Sequence, residues 1–271
     1  MLDYQHPEAV RKFLERNSLL NFAPTYGFLR KIGDAFKKIP YENLTKLIRA
    51  RTHDGSDLRL RLPEILYEDH LRFGTGGTCF SMTYFLQTIL RSCGFETYPV
   101  MADRPLVPNT HCLSIVILNG QKFLVDPGFM IYHPVALTPV ASRTNLGHAT
   151  IMICDSGAED EYIIATISNN KTNVRYFMRD KALTPDEFLG YWQDSFDWPT
   201  LRNISISVAL NDGYVYARNN FLRVTRSGGK TQERLKKDVE LTLGKTFNID
   251  EGVIRDAMEM LSLRASAKQS S

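Results

Sequence analysis

A chain of 271 residues, 43% hydrophobic and 23% charged, has the make-up of a globular protein with apolar material for more than one core. Its formal net charge of +3 is too small for a nucleic-acid binder, and no zinc finger, basic helix or aromatic-basic RNP pattern accompanies it. No apolar run is long enough to cross a bilayer, and Met1-Leu2-Asp3-Tyr4-Gln5-His6 lacks the order of a signal peptide, so no membrane partner is expected and the cytoplasm is the default location.

From Pro7 the spacing of Val10, Phe13 and Leu14 predicts a helix, and a second follows from Thr25 through Phe28, Ile32 and Phe36 until Pro40 interrupts it. Ile39 to Leu44 reads as a short connector, and a further helix is expected after Pro63. Phe80, Tyr84, Ile89 and Leu90 carry another helix from Cys79 to Cys93-Gly94. Beyond Gly94 the pattern changes to strands: Thr97 to Met101, Leu113 to Leu118, Gln121 to Asp126, Thr150 to Cys154, Glu161 to Ser168 and Val174 to Met178 suggest a sheet curling towards a barrel. Thr184-Pro185-Asp186-Glu187 has the form of a capping box and opens a helix. Ile204 to Leu210 and Tyr214 to Val224 read as a hairpin, Ser227-Gly228-Gly229 as a loop, Leu235 to Leu243 as ambiguous, Asp250 to Leu263 as an amphipathic helix, and Ala265 to Ser271 as a disordered tail.

Cys79, Cys93, Cys112 and Cys154 are irregularly spaced with no CxxC, so neither a disulfide framework nor a metal site is suggested. Cys79 stands apart. It follows a glycine pair in Gly76-Gly77-Thr78-Cys79-Phe80, where a helix begins, and the positive end of a helix favours a thiolate. Most unpaired cysteines are nonetheless small buried hydrophobes, so a nucleophile there needs partners elsewhere in the chain.

Asn119-Gly120 supplies one geometric constraint. A two-residue loop pairs Leu118 with Gln121, and continuing the register sets His111 opposite Gly128. Side chains alternate with period two, so Asp126 shares a face with His111 as its diagonal neighbour, with Cα atoms roughly 7 to 8 Å apart. Leu113, Ile115 and Leu124 continue that face and would shield the pair from water. A carboxylate so placed fixes the imidazole tautomer and leaves the second ring nitrogen for a thiol. His6, His53, His70, His133 and His148 have no comparable partner on a predictable face and read as surface or satisfied core residues. The hairpin does not itself place Cys79.

Gly76-Gly77-Thr78-Cys79-Phe80, Pro108-Asn109-Thr110-His111 and Phe123-Leu124-Val125-Asp126-Pro127-Gly128-Phe129 together resemble motifs of the arylamine N-acetyltransferases, and Ile39-Pro40-Tyr41-Glu42-Asn43-Leu44 is similar to that family's Ile-Pro-Phe-Glu-Asn-Leu signature. The resemblance implies an α+β, cysteine-proteinase-like fold: an N-terminal helical bundle over 1–90, a central β-barrel over 91–185, and an interdomain helix with a C-terminal α/β lid over 186–271. It implies a triad of Cys79 as nucleophile, His111 as base and Asp126 as orienting carboxylate. Phe80, Thr110, Gly128 and Phe129 become the expected substrate-binding residues. Acetyl-CoA would be the co-substrate and an aromatic amine or hydrazine the acceptor, in a ping-pong cycle without a metal. The alternatives are a related acyltransferase or amide synthase with a different acyl donor or acceptor, or a non-catalytic ligand-binding relative. Thr75 stands where the family has Arg, Ser81 and Thr83 where it has Glu and Asn, and Pro127 and Met130 where it has a small apolar residue and Gly. Arg226, Lys230, Arg234, Lys236 and Lys237 read as a solvated surface, with CoA phosphates the alternative, and Tyr214, Tyr216, Trp192 and Trp198 as packing residues.

Overall fold

Five helices, α1 (Pro7–Arg16), α2 (Tyr26–Phe36), α3 (Leu44–Thr52), α4 (Pro63–Phe73) and α5 (Cys79–Ser92), and a two-residue strand β1 (Tyr41–Glu42) make up the first part of the computed structural model, which describes residues 2–53, 57–138, 140–147, 149–168 and 171–267. Proline at the first turn of α1 and α4, and the Thr25 hydroxyl accepting from the Phe28 N–H at 3.2 Å ahead of α2, start these helices. Helix α5 is buried all along Cys79 to Leu90, as expected of the central helix of a bundle. Phe85 on α5 packs against the rings of Phe13, Phe36 and Tyr67.

The predicted hairpin is present with its expected register, β3 (Val107–Leu118) pairing with β4 (Gln121–Asp126) from Leu118–Gln121 to Ser114–Val125. It lies within an eight-stranded antiparallel sheet that includes β2 (Glu96–Arg104), β5 (Ile131–Ala136), β6 (Ser142–Asn145), β7 (Thr150–Asp155), β8 (Glu161–Ser168) and β9 (Lys171–Arg179), in the order β5-β4-β3-β2-β9-β8-β7-β6. The sheet nearly closes on itself. Val135 near one end of the order and Ile151 and Ile153 near the other share a core with Leu113, Ile115 and Leu124.

The capping box at Thr184 and Glu187 forms as expected and opens α6 (Pro185–Asp194). A second antiparallel sheet has the order β1-β10-β11-β12-β13, with β10 (Ser205–Ala209), β11 (Gly213–Arg218), β12 (Phe221–Arg226) and β13 (Gly229–Arg234). Helices α7 (Val239–Phe247) and α8 (Glu251–Ala267) pack on it. This sheet ties the ends of the chain together: β1 pairs with β10, and Leu44 and Leu47 of α3 share a core with Ile254 and Ala257 of α8.

Several expectations need correction. The connector at Ile39 to Leu44 holds β1 and leads into α3, and the Tyr214-to-Val224 run is two strands turning at Asn219-Asn220. Lys230 and Arg234, expected in a loop, lie on β13. Helix α8 continues through Ala265 to Ala267, and residues 268–271 of the expected tail, like His148, lie outside the described residues. Among the described residues no helix is long and apolar enough to cross a membrane.

Candidate active site

Cys79 is the first residue of α5, and the glycine pair before it runs against β1. Glu42 N–H donates to the Gly77 carbonyl at 3.0 Å, while a side chain on Gly76 would strike the Pro40 carbonyl. The close approach of two backbones therefore demands glycine there. On the other side, α5 packs on β2 and β3, and the Thr83 hydroxyl donates to the Cys112 carbonyl at 3.3 Å, fixing the helix against the strand that carries His111.

His111 and Asp126 meet as the hairpin geometry predicts. The ring Nε2 lies 2.8 Å from Asp126 Oδ2, and both residues are buried, Asp126 completely. Asp126 has two further donors: the Tyr176 hydroxyl at 2.6 Å and the Phe129 N–H at 3.2 Å. After Pro127 the chain makes a tight helical turn that brings Gly128 against the pair, where an added Cβ would lie 2.7 Å from His111 Cε1 and 3.4 Å from Cys79 Cβ. The turn ends at Met130 with φ +59°, a left-handed conformation that costs a non-glycine residue about 1–2 kcal/mol.

Cys79 and His111 both lie against Gly128, and Cys112 and His111 both act on the Cys79 thiol. The Cys112 contact, then the His111 bond and charge and the Lys46 ammonium, hold the Cys79 pKa well below the thiol range against the opposing cost of burial. Burial pushes Cys112 up, and the charge on Cys79 pushes it further. Of the two sulfurs, Cys79 is the thiolate and Cys112 the S–H donor, because the helix N-terminus and both cations favour charge at Cys79. For His111, burial works against the imidazolium, but the Asp126 charge and hydrogen bond, followed by Cys79, raise it to about 9. A thiolate beside an imidazolium that a buried carboxylate orients is an activated nucleophile.

The sulfur opens onto a cavity of about 650 Å³. Of the four residues expected to bind substrate, Thr110, Gly128 and Phe129 line it and Phe80 does not: it is fully buried between Phe188 and Trp198. Trp192 is a packing residue, whereas Trp198, Tyr214 and Tyr216, also read as packing, line the cavity wall. Its lining cations are Lys46, Arg104, Arg175, Arg218 and Arg223, and no Asp or Glu joins them among the described residues. Arg226 instead pairs with Asp212 at 2.5 Å, and β13, with Lys230 and Arg234, is exposed.

Sequence reasoning missed three contributors. Tyr176 reaches Asp126 from 50 residues away because β9 joins β2 across the sheet. Lys46 comes from the unpredicted α3. Arg61 brings a guanidinium to the glycine pair where Thr75 lacks one, donating to the Gly76 carbonyl, to Thr45 Oγ1 at 2.8 Å, to Asp69 at 2.9 Å and to the buried Glu42 at 3.4 Å. His6 and His133, read as surface or satisfied residues, are satisfied by Glu64 at 2.7 Å and Asp34 at 2.9 Å. Neither lines the cavity.

The family model described as N-acetyltransferase matches residues 27–253. The chain belongs to the N-acetyltransferase family. Arylamine N-acetyltransferase 1 of Oryctolagus cuniculus is 30% identical over 112 residues, 37% of this chain and 36% of that protein, and arylamine N-acetyltransferase 1 of Homo sapiens is 29% identical over 100 residues, 34% and 32%. These matches thus span about a third of the curated relatives' length. In three dimensions the likeness covers most of the chain. The arylamine N-acetyltransferase of Mycobacterium abscessus superposes with a TM-score of 0.79 at 18% identity, covering 93% of this chain and 94% of its own. That of Salmonella typhimurium gives 0.77 at 20%, covering 93% and 98%. A Bacillus cereus member, described as having a unique Cys-His-Glu catalytic triad, gives 0.71 at 18%, covering 92% and 100%. At these identities the structures establish the shared α+β fold.

Proposed function

We propose that this chain transfers an acyl group from an acyl-CoA thioester to an arylamine or hydrazine through a thioester on Cys79, with acetyl the acyl group that the family points to. The observation that carries the reading is the chain of contacts from the Cys79 sulfur through His111 to Asp126, buried on the protein side and open to the cavity on the other.

In the first half-reaction the Cys79 thiolate attacks the thioester carbonyl, and the imidazolium of His111 protonates the departing CoA sulfur. In the second, the amine attacks the acyl-enzyme, His111 accepts its proton, and Cys79 leaves as thiolate. Asp126, held by Tyr176 and the Phe129 N–H, keeps the ring oriented in both. Arg175, Arg218 and Arg223 on the cavity wall are suited to CoA phosphates. Intact-mass measurement after mixing with acetyl-CoA should add one acetyl group, lost again on adding an aromatic amine. Cys79→Ala protein should take up none, and transfer surviving in that variant would sink the reading.

A further inference from the structure

Strand β1 contributes two side chains, and alternation sends them to opposite faces. Glu42 turns inward to Thr45 and Arg61, and Tyr41 turns to the cavity. Across the smaller sheet Tyr41 stands opposite Ser207, Ser207 opposite Tyr216 and Tyr216 opposite Arg223, and all four line the cavity as one row. The other edge of β1 bridges Gly77, two residues before Cys79, and the Tyr41 side chain packs on the cluster that holds Cys79 and Phe80. Tyr41 is therefore the end of the row that borders the nucleophile.

The hydroxyl at its tip is a donor without an acceptor. Among the described residues it forms no hydrogen bond, and Cys79, Arg104, Asp126 and Cys112 act on it through charge alone, Cys79 most strongly. Burial, then the Cys79 charge, push the phenol pKa far above its usual value against the pull of Arg104, so it keeps its proton across the working range. Other donors beside the sulfur are engaged: His111 with Asp126 at 2.8 Å, the Thr110 hydroxyl with the Val107 carbonyl at 2.8 Å, and Lys46 with the Ser195 hydroxyl.

Attack on a thioester creates charge next to this free donor. As Cys79 Sγ bonds the carbonyl carbon, the π pair of the carbonyl moves onto its oxygen, which stays two bonds from the sulfur whatever the rest of the substrate is. We propose that the Tyr41 hydroxyl donates to that oxygen, making Tyr41 a catalytic residue of both half-reactions. The inference rests on the Cys79 thioester reading and adds the group that stabilises its oxyanion. A fixed neutral donor in a water-poor site gains most as the oxygen becomes charged, so it favours the transition state over the bound substrate. In the first half-reaction the carbonyl re-forms as the carbon–sulfur bond to CoA breaks, and the CoA thiolate takes the His111 proton. In the second, the amine nitrogen bonds the same carbon, the oxyanion returns, the bond to Sγ breaks, and the amine proton passes to His111. Tyr41 keeps its own proton throughout.

The test follows the full chain by intact mass in the wild type and Tyr41→Phe, through single-turnover acylation by acetyl-CoA or acetyl-N-acetylcysteamine and deacylation by aniline or phenylhydrazine. Only the acyl carbonyl is common to all four steps. The rate at saturating substrate should fall about a hundredfold in each, with KM little changed, as for one lost oxyanion donor. Alkylation of Cys79 by iodoacetamide should be unaltered. In isotope-edited infrared spectra the carbonyl band of the acetyl group on Cys79 should move to higher frequency in Tyr41→Phe, a shift that a merely structural role would not produce. A loss confined to acetyl-CoA would put the hydroxyl on the CoA arm, and a loss with one acceptor alone would put it on the acceptor; either overturns the inference. So does a rise in KM with the saturated rate unchanged, or an alkylation rate that falls as far as acylation. Should Tyr41→Phe fail to fold, the wild-type band decides: a frequency no lower than that of a thioester in a solvent without hydrogen-bond donors overturns the contact. If neither donor adds mass to Cys79 in the wild type, the thioester reading itself fails, an outcome distinct from acylation at an unchanged rate in Tyr41→Phe.

Discussion

At the residue scale, four influences act on one sulfur. Burial opposes charge at Cys79, while the S–H of Cys112, the imidazolium of His111 and the ammonium of Lys46 favour it and prevail. An ordinary thiol is only a few per cent ionised at pH 7, so Cys79 should be alkylated by iodoacetamide at pH 6.5 about tenfold faster than Cys93, whose thiol burial raises to about 11. The profile should be level across neutral pH, and Cys112→Ala should slow the reaction at pH 6.5 by removing a donor. A rate climbing tenfold per pH unit through neutrality would show an ordinary thiol instead. His111 has the opposite sign: its folded pKa lies above its usual value, so the imidazolium is complete below about 6.5 and lost as pH rises through about 9. Acyl-enzyme formation should therefore decline above pH 9, as the acid that protonates the leaving sulfur disappears.

At the scale of elements, the hairpin and the start of α5 were legible because their signals are local. Asn-Gly fixes a turn, period-two alternation fixes a face, and the two put His111 beside Asp126 before any tertiary contact is known. The missed strands lack such signals: β13 is Gly-Lys-Thr-Gln-Glu-Arg and β6 is Ser-Arg-Thr-Asn, neither with apolar alternation, β5 contains Pro134, and β1 has two residues. Tyr176, Lys46 and Arg61 were invisible for another reason, since each reaches the site from an element brought there only by long-range packing. Arg61 gives this scale its prediction. It enters between α3 and the glycine pair, and among the described residues Glu42, fully buried, otherwise has only Thr45 N–H and its hydroxyl as donors, at 3.0 and 2.7 Å. Arg61→Met leaves that carboxylate buried without its cation and should cost about 3–5 kcal/mol in urea unfolding. Arg61→Met with Glu42→Gln should recover much of the loss; a double variant as unstable as the sum of its singles would mean that the pair is not coupled.

At the scale of the whole molecule, the cavity belongs to no single core. Tyr41 and Lys46 come from the helical part, Thr110 and His111 from the larger sheet, and Tyr214 and Arg223 from the smaller one, so its shape depends on β1 pairing with β10 and α3 packing on α8. A net charge of +3 gave little warning of its electrostatics. Arg175 and Arg223 stand close enough for Arg223 to lower the Arg175 pKa, secondary to burial, and Arg223 lies 5.6 and 5.3 Å from the ring centres of Tyr214 and Tyr216. Like charges gathered on a wall without carboxylates focus the field on an anion. If that anion is the phosphates of CoA, Arg175→Ala and Arg223→Ala should each raise the KM for acyl-CoA about three- to tenfold, the lower end reflecting their partial exposure to solvent. Added salt should raise the wild-type KM and affect the variants less, because screened charges are what they have lost. An acyl thioester of N-acetylcysteamine, which has the reacting sulfur but no phosphate, separates contact from charge. Its KM should be nearly indifferent to either substitution, and an increase equal to that for acyl-CoA would move these arginines from phosphate binding to shaping the cavity wall.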